Sequence, residues 1–249
     1  MRSLLIAAAD PKRLAEALNA GADAVVVDLA RAAQAERAGA RAAAARFLKE
    51  TRGRGGSGPA LIVRINALDS GQTDGDLDAV MAGAPDAILL PRSLGAPSVQ
   101  QLSAKLAVRE ADLSLADGAT RIIAVADTAQ SLFNMGSYRG SSARLTAIAW
   151  SSESLRADIA AKTDRDPLGE YLGPYRLARD LTLLAATSAG VAAIDSPFAD
   201  PRSAEGLRAE ALAARQDGFV GKMAIDPVQV SVITGVFRRR TAPAAESSV

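Results

Sequence analysis

Among its 249 residues the chain has neither a cysteine nor a histidine. Without cysteine there is no disulfide, no thiolate nucleophile and no Cys-ligated zinc or iron–sulfur centre. Without histidine, Ser-His-Asp catalysis, His-ligated metals and the usual general base near neutral pH are excluded. An excess of one charge is missing too. The 29 Lys and Arg nearly balance the 28 Asp and Glu, so nothing points to a nucleic acid or a membrane surface as partner. No stretch approaches the roughly 18 consecutive apolar residues that a membrane span needs. The apolar start stops at Asp10-Pro11, which reads as a first strand and a helix start rather than a signal peptide. A cytoplasmic protein is expected. Chemistry is left to carboxylates, Lys, Arg, Tyr, backbone groups or a hard cation bound through oxygen.

What is present is a repeated layout. Short apolar, partly β-branched runs at 3–8, 22–29, 59–65, 84–90, 120–126, 145–150, 191–194 and 219–225 read as buried strands. Helical stretches lie between them, several with clear punctuation. Asp10 caps the first, with Pro11 at its first turn; Gly190 closes the helix over 175–188; and the last helix runs over 227–237. Residues 52–59, rich in Gly, form a flexible loop, and the polar stretch 162–169 is expected to be mobile. The tail 238–249 lacks periodicity and is expected to be disordered. Eight strands alternating with helices predict a single-domain (β/α)8 TIM barrel over 1–237; an open doubly wound sheet is disfavoured because no Gly-rich fingerprint follows the first strand.

Arg64 stands at the end of an apolar strand, where an unpaired guanidinium would be costly to bury. In a barrel, strand ends of this kind line the active-site mouth, which makes Arg64 and Asp127 the leading candidates there. Arg92, Glu153 and Asp195 occupy comparable positions after other strands, with a rim charge, a helix cap and a turn as their plainer roles. Lys222 reads as one half of a structural ion pair, and Trp150 as core packing.

Several segments, taken in order, resemble the HpcH/HpaI aldolases and citrate lyase β-subunits. They are Arg2-Ser-Leu-Leu-Ile, Gly21-Ala-Asp-Ala-Val-Val-Val-Asp-Leu29, Val63-Arg-Ile-Asn-Ala-Leu-Asp69, Ala87-Ile-Leu-Leu-Pro-Arg92, Ile194-Asp195 and Gly218-Phe-Val-Gly-Lys222. The resemblance spans roughly residues 2 to 237. It implies a carbon–carbon lyase acting on oxo acids or acyl-CoA with Mg2+-assisted enolate chemistry, in a homotrimer or hexamer. Arg64 matches the family's substrate-binding Arg, and Arg92 and Asp195 are further substrate-binding candidates. Asp127 stands in place of a metal-binding Glu, and with Glu153 it makes the candidate Mg2+ ligand pair.

The family's acidic pattern is broken elsewhere. Ser154 holds the position of a metal-binding Asp, Ala30-Arg31 that of an acidic pair, and Asp226 that of a His. Three outcomes follow. The cation is held differently, by Asp127 and Glu153; the enzyme dispenses with metal; or Arg31 pairs with Asp127 or Asp28 and the barrel binds an acidic metabolite or acyl-CoA without turnover.

Overall fold

A computed structural model describes residues 1–53 and 58–238. Eight parallel strands close into a barrel in sequence order. They are β1 Ser3–Ala8, β2 Ala24–Asp28, β3 Ala60–Arg64, β4 Ala87–Leu90, β5 Arg121–Val125, β6 Leu145–Ala149, β7 Ala192–Asp195 and β8 Gly221–Ala224. The circle closes where Ser3 and Leu4 pair with Lys222 and Met223. The surrounding helices are α1 Pro11–Leu18, α2 Arg37–Gly53, α3 Thr73–Val80, α4 Ala96–Asp112, α5 Ala129–Phe133, α6 Ser152–Asp158, α7 Gly173–Ala189, α8 Ala204–Asp217 and α9 Pro227–Phe237. The predicted barrel is therefore the observed one. No helix among the described residues is long and apolar enough to cross a membrane.

Strand side chains alternate between two cores, as a period of two requires. Leu4, Val26, Ile62, Leu89, Ile123 and Met223 fill the barrel lumen. Their neighbours Leu5, Val27, Val63, Leu90, Ile122 and Ala224 face the helices and join the larger outer core. This parity decides which polar residue at a strand end reaches the mouth and which is turned toward the helix layer.

The helix starts follow side-chain chemistry. The Asp10 carboxylate accepts from the Lys12 and Arg13 amides at 3.0 and 3.1 Å, and Asp226 accepts from Val228 N at 2.9 Å. Gly190 adopts φ +70° at the end of α7, a conformation that favours glycine.

β6 runs into α6, the helix that the plainer reading of Glu153 anticipated, and its start is capped by Ser151 Oγ accepting from Ser154 N at 3.2 Å. One segment differs from expectation. Residues 162–169, expected to be mobile, form a turn held from several sides. Arg165 Nη1 donates to Gly169 O at 2.8 Å, Asp166 Oδ1 accepts from Leu168 N and Glu170 N, and Arg165 Nη2 reaches Glu210 at 2.5 Å. Polar composition alone hid these partners, because Glu210 comes from α8. Of the flexible loop expected at 52–59, residues 54–57 lie outside the described residues, as do 239–249 of the expected tail.

Candidate active site

The C-terminal ends of β2, β3 and β5 bring three charged side chains of lumen parity to one mouth. Asp28 and Arg64 are direct register partners on β2 and β3. Arg64 Nη1 donates to Asp28 Oδ2 at 3.4 Å, a long contact that leaves most of the guanidinium's donors free. Asp28 is in turn fixed by the Ala30 amide, 2.9 Å from its Oδ1. Asp127 follows β5, two residues beyond Val125 and on the same face.

Asp127 is only 1% exposed. Its Oδ1 accepts from the Arg92 amide at 2.8 Å. Arg92 itself holds a left-handed φ of +50°, uncommon for a residue with a β-carbon. Burial pushes the Asp127 carboxyl above its ordinary value, and the Arg92 amide, the Arg64 guanidinium and the Ser154 hydroxyl offset only part of that rise.

A cleft of about 650 Å³ opens above these groups, lined among others by Arg64, Asn66, Asp69, Arg92, Asp127 and Ser154. Asn66 is held by Asp76, which accepts from both its backbone and side-chain nitrogens at 2.8 Å. At the rim, Arg92 Nη1 lies 3.3 Å from Asp158, whose other oxygen accepts from Ala129 N at 2.9 Å. Asp158 carries no signal in the sequence, because its partner Arg92 lies 66 positions away and meets it only once the barrel has closed.

The remaining candidates stand elsewhere. Glu153, on the first turn of α6, is ion-paired with Arg31. Arg31 Nε is also 3.9 Å from Asp28 Oδ2, so of the two partners expected for Arg31 it approaches Asp28. Asp195, expected at the mouth as a substrate contact, has the opposite parity to Ile194 and faces the helix layer. Its Oδ1 accepts from Trp150 Nε1 at 2.8 Å and its Oδ2 from Lys222 Nζ at 2.7 Å. Lys222, fully buried, also donates to Glu210 at 2.7 Å and to Ser196 O at 2.6 Å. It forms the structural ion pair its sequence context suggested. Trp150, read as packing, adds a hydrogen bond to that role. Asp226 caps α9.

A family profile described as HpcH/HpaI aldolase/citrate lyase matches residues 2–227. The chain belongs to this family. Within it, the citrate lyase subunit beta of Leuconostoc mesenteroides subsp. cremoris is 32% identical over 177 residues, covering 71% of this chain and 57% of that protein. A (3S)-malyl-CoA thioesterase of Cereibacter sphaeroides is 31% identical over 236 residues, covering 94% and 75%. A solved citrate lyase beta subunit from M. tuberculosis, complexed with oxaloacetate and magnesium, superposes with a TM-score of 0.80 at 29% identity, covering 95% of this chain and 96% of that one. The chain thus spans less than two thirds of the first of these relatives. The relatives' names point to more than one reaction, citrate cleavage and malyl-CoA thioester hydrolysis among them, and family membership singles out none of them.

The family's magnesium provides a direct test of the mouth. A Mg2+ ion wants octahedral oxygen ligands, commonly one or two carboxylates with waters and substrate. The cleft offers one buried carboxylate, Asp127, beside the neutral hydroxyl of Ser154. Glu153 is taken by Arg31, and the Arg64 charge acts on Asp127. Among the described residues no group of three acidic side chains is placed to hold a metal ion. The donor set does not fit a cation held by the protein's own side chains, and the expected pair of Asp127 and Glu153 is not assembled as one.

Proposed function

We propose that this chain is a carbon–carbon lyase of the HpcH/HpaI family. It makes or breaks a bond beside the carbonyl of a small oxo acid, with an acyl-CoA as the other partner in the reaction. The observation that carries the reading is the placement of Arg64. Its guanidinium is 16% exposed, points into the cleft, and sits in register beside Asp28 with the Asp127 carboxyl at the cleft floor.

The chemistry needs two services. Cleavage leaves an electron pair on the carbon beside a carbonyl, delocalised as an enolate, and that oxygen needs positive charge or hydrogen-bond donors. It also needs a group that takes the hydroxyl proton of the fragment that becomes a carbonyl. The planar fork of Arg64 supplies donors for a carboxylate and the adjacent oxo oxygen. Asp127, held by the Arg92 amide through Oδ1, keeps Oδ2 for a proton, and its raised pKa brings it closer to the range where it can both take and give one. Both services come from these side chains themselves, since the donor set does not fit a metal.

A second reading is favoured by Ser154 and by the pairing of Glu153 with Arg31: a barrel that binds an acidic metabolite or acyl-CoA without turnover. One experiment separates the two. Calorimetric titration with pyruvate and oxaloacetate should show binding that weakens at least about tenfold in Arg64→Ala, as expected for losing charge-assisted hydrogen bonds of about 1.5–3 kcal/mol. Turnover of malyl-CoA, followed as free oxo acid, should fall with it. Arg64-dependent binding without turnover of any acyl-CoA tested selects the second reading, and binding indifferent to Arg64 removes both.

A further inference from the structure

The ion pair between Arg31 and Glu153 joins opposite sides of the mouth. Arg31 follows β2 and Glu153 follows β6, and in an eight-stranded circle these strands lie diametrically apart. Together with Asp28 and Arg64 they form a chain of alternating charge: Glu153, Arg31, Asp28, Arg64. Its members line two neighbouring hollows. Arg64, with Ala30, lines the cleft over Asp127. Asp28 and Arg31 line a second hollow of about 640 Å³ beside the β1–α1 turn.

The charge chain is unequal in strength along its length. Asp28 is buried and held by the Ala30 amide, and the guanidinium groups of Arg64 and Arg31 approach the same carboxylate oxygen, at 3.4 and 3.9 Å. The outer link is different. Arg31 and Glu153 are 57% and 64% exposed, and an exposed pair of this kind contributes little to stability. A carboxylate brought by a ligand can take the place of Glu153 on Arg31 at small cost. Ala30, between the two arginines in sequence, presents only a methyl group to the cleft and leaves room for it.

We infer that Arg31 is a specificity-determining residue of this site. It receives the second carboxylate of a short dicarboxylic acid whose first carboxylate lies on Arg64, with Glu153 occupying Arg31 until the ligand displaces it. This rests on the proposed oxo-acid site and adds the substrate class: diacids above monoacids, without a divalent cation between ligand and protein. Glu153 then competes with the substrate, which reverses the role expected of a metal ligand.

The test is calorimetric titration in EDTA of oxaloacetate and pyruvate against the full chain, Arg31→Ala and Glu153→Gln. Oxaloacetate should bind about tenfold or more tightly than pyruvate, the worth of one charge-assisted pair. Arg31→Ala should remove that preference while leaving pyruvate affinity within about twofold. Glu153→Gln should strengthen oxaloacetate binding severalfold, a gain that misfolding cannot produce. An unchanged diacid preference in Arg31→Ala, or weaker oxaloacetate binding in Glu153→Gln, overturns the inference while the Arg64 reading stands. Oxaloacetate binding that appears only when Mg2+ replaces EDTA also overturns it. If neither acid binds the full chain under either condition, both readings fall together.

Discussion

At Asp127 burial and hydrogen bonding act in opposite directions on one carboxyl group. Burial raises its pKa, and the Arg92 amide, Arg64 and Ser154 pull it back only in part. A carboxyl whose folded pKa lies above its unfolded value carries no penalty below the unfolded pKa and an increasing one as pH rises through the folded pKa. Asp127→Asn keeps an oxygen for the Arg92 amide and cannot ionise. The variant should therefore melt above the parent at about pH 7 and level with it at about pH 3, below the ordinary carboxylate range. A thermal melt at both values checks this, and equal shifts at the two would show that ionisation is not the cause. At Arg92 the backbone matters as much as the side chain, since its amide donates to the Asp127 carboxylate. Composition identifies Arg92 as a charge at the rim; only the folded turn makes it a backbone donor.

Among the elements, β8 shows most directly why a strand has its particular residues. Gly221 faces the N-terminal segment so closely that a β-carbon there would lie 2.6 Å from Met1 O and 2.7 Å from Arg2 O. Both atoms belong to backbone, and the neighbouring carbonyl of Arg2 accepts from Lys222 N at 2.8 Å in the β1–β8 ladder that closes the barrel. Gly221→Ala should cost about 1–3 kcal/mol, the usual range for overpacking. Urea unfolding measures it, and a loss below about 0.5 kcal/mol would mean that β1 yields without strain, within the ordinary effect of a surface change. The strand itself is legible in the sequence as an apolar run. The close approach that demands glycine is not, because it depends on which strand lies beside it after a circuit of more than 200 residues.

For the whole molecule, the buried amine of Lys222 ties the barrel to its helix layer. It reaches Asp195 on β7 and Glu210 on α8, while Arg179 on α7 stands 3.5 Å from Asp195 and Arg165 at 2.5 Å from Glu210 fastens the α6–α7 connection to the same cluster. Removing one partner from such a cluster leaves buried charge without compensation. Lys222→Met is thus expected to destabilise the fold by about 3–5 kcal/mol. Chemical denaturation checks the magnitude. The oxo-acid affinity of the molecules that remain folded should stay within about twofold, as expected for a group with no shared partner with Arg64. A large loss of binding at unchanged stability would place Lys222 in the site instead of behind it.

The sequence by itself determined the barrel, because eight apolar runs separated by capped helices leave few other ways to bury them. It also determined the leading candidates, because a charge that ends a lumen-facing strand must emerge at the mouth. Only the tertiary structure separated Asp127 from Asp195. Both are aspartates at strand ends, but one shares the parity of the lumen and the other that of the helix layer, and a shift of one residue in a period of two reverses the direction a side chain faces. It alone also decided that Arg31 meets Glu153 across the mouth, 122 positions apart in sequence, since that contact exists only once the barrel has closed.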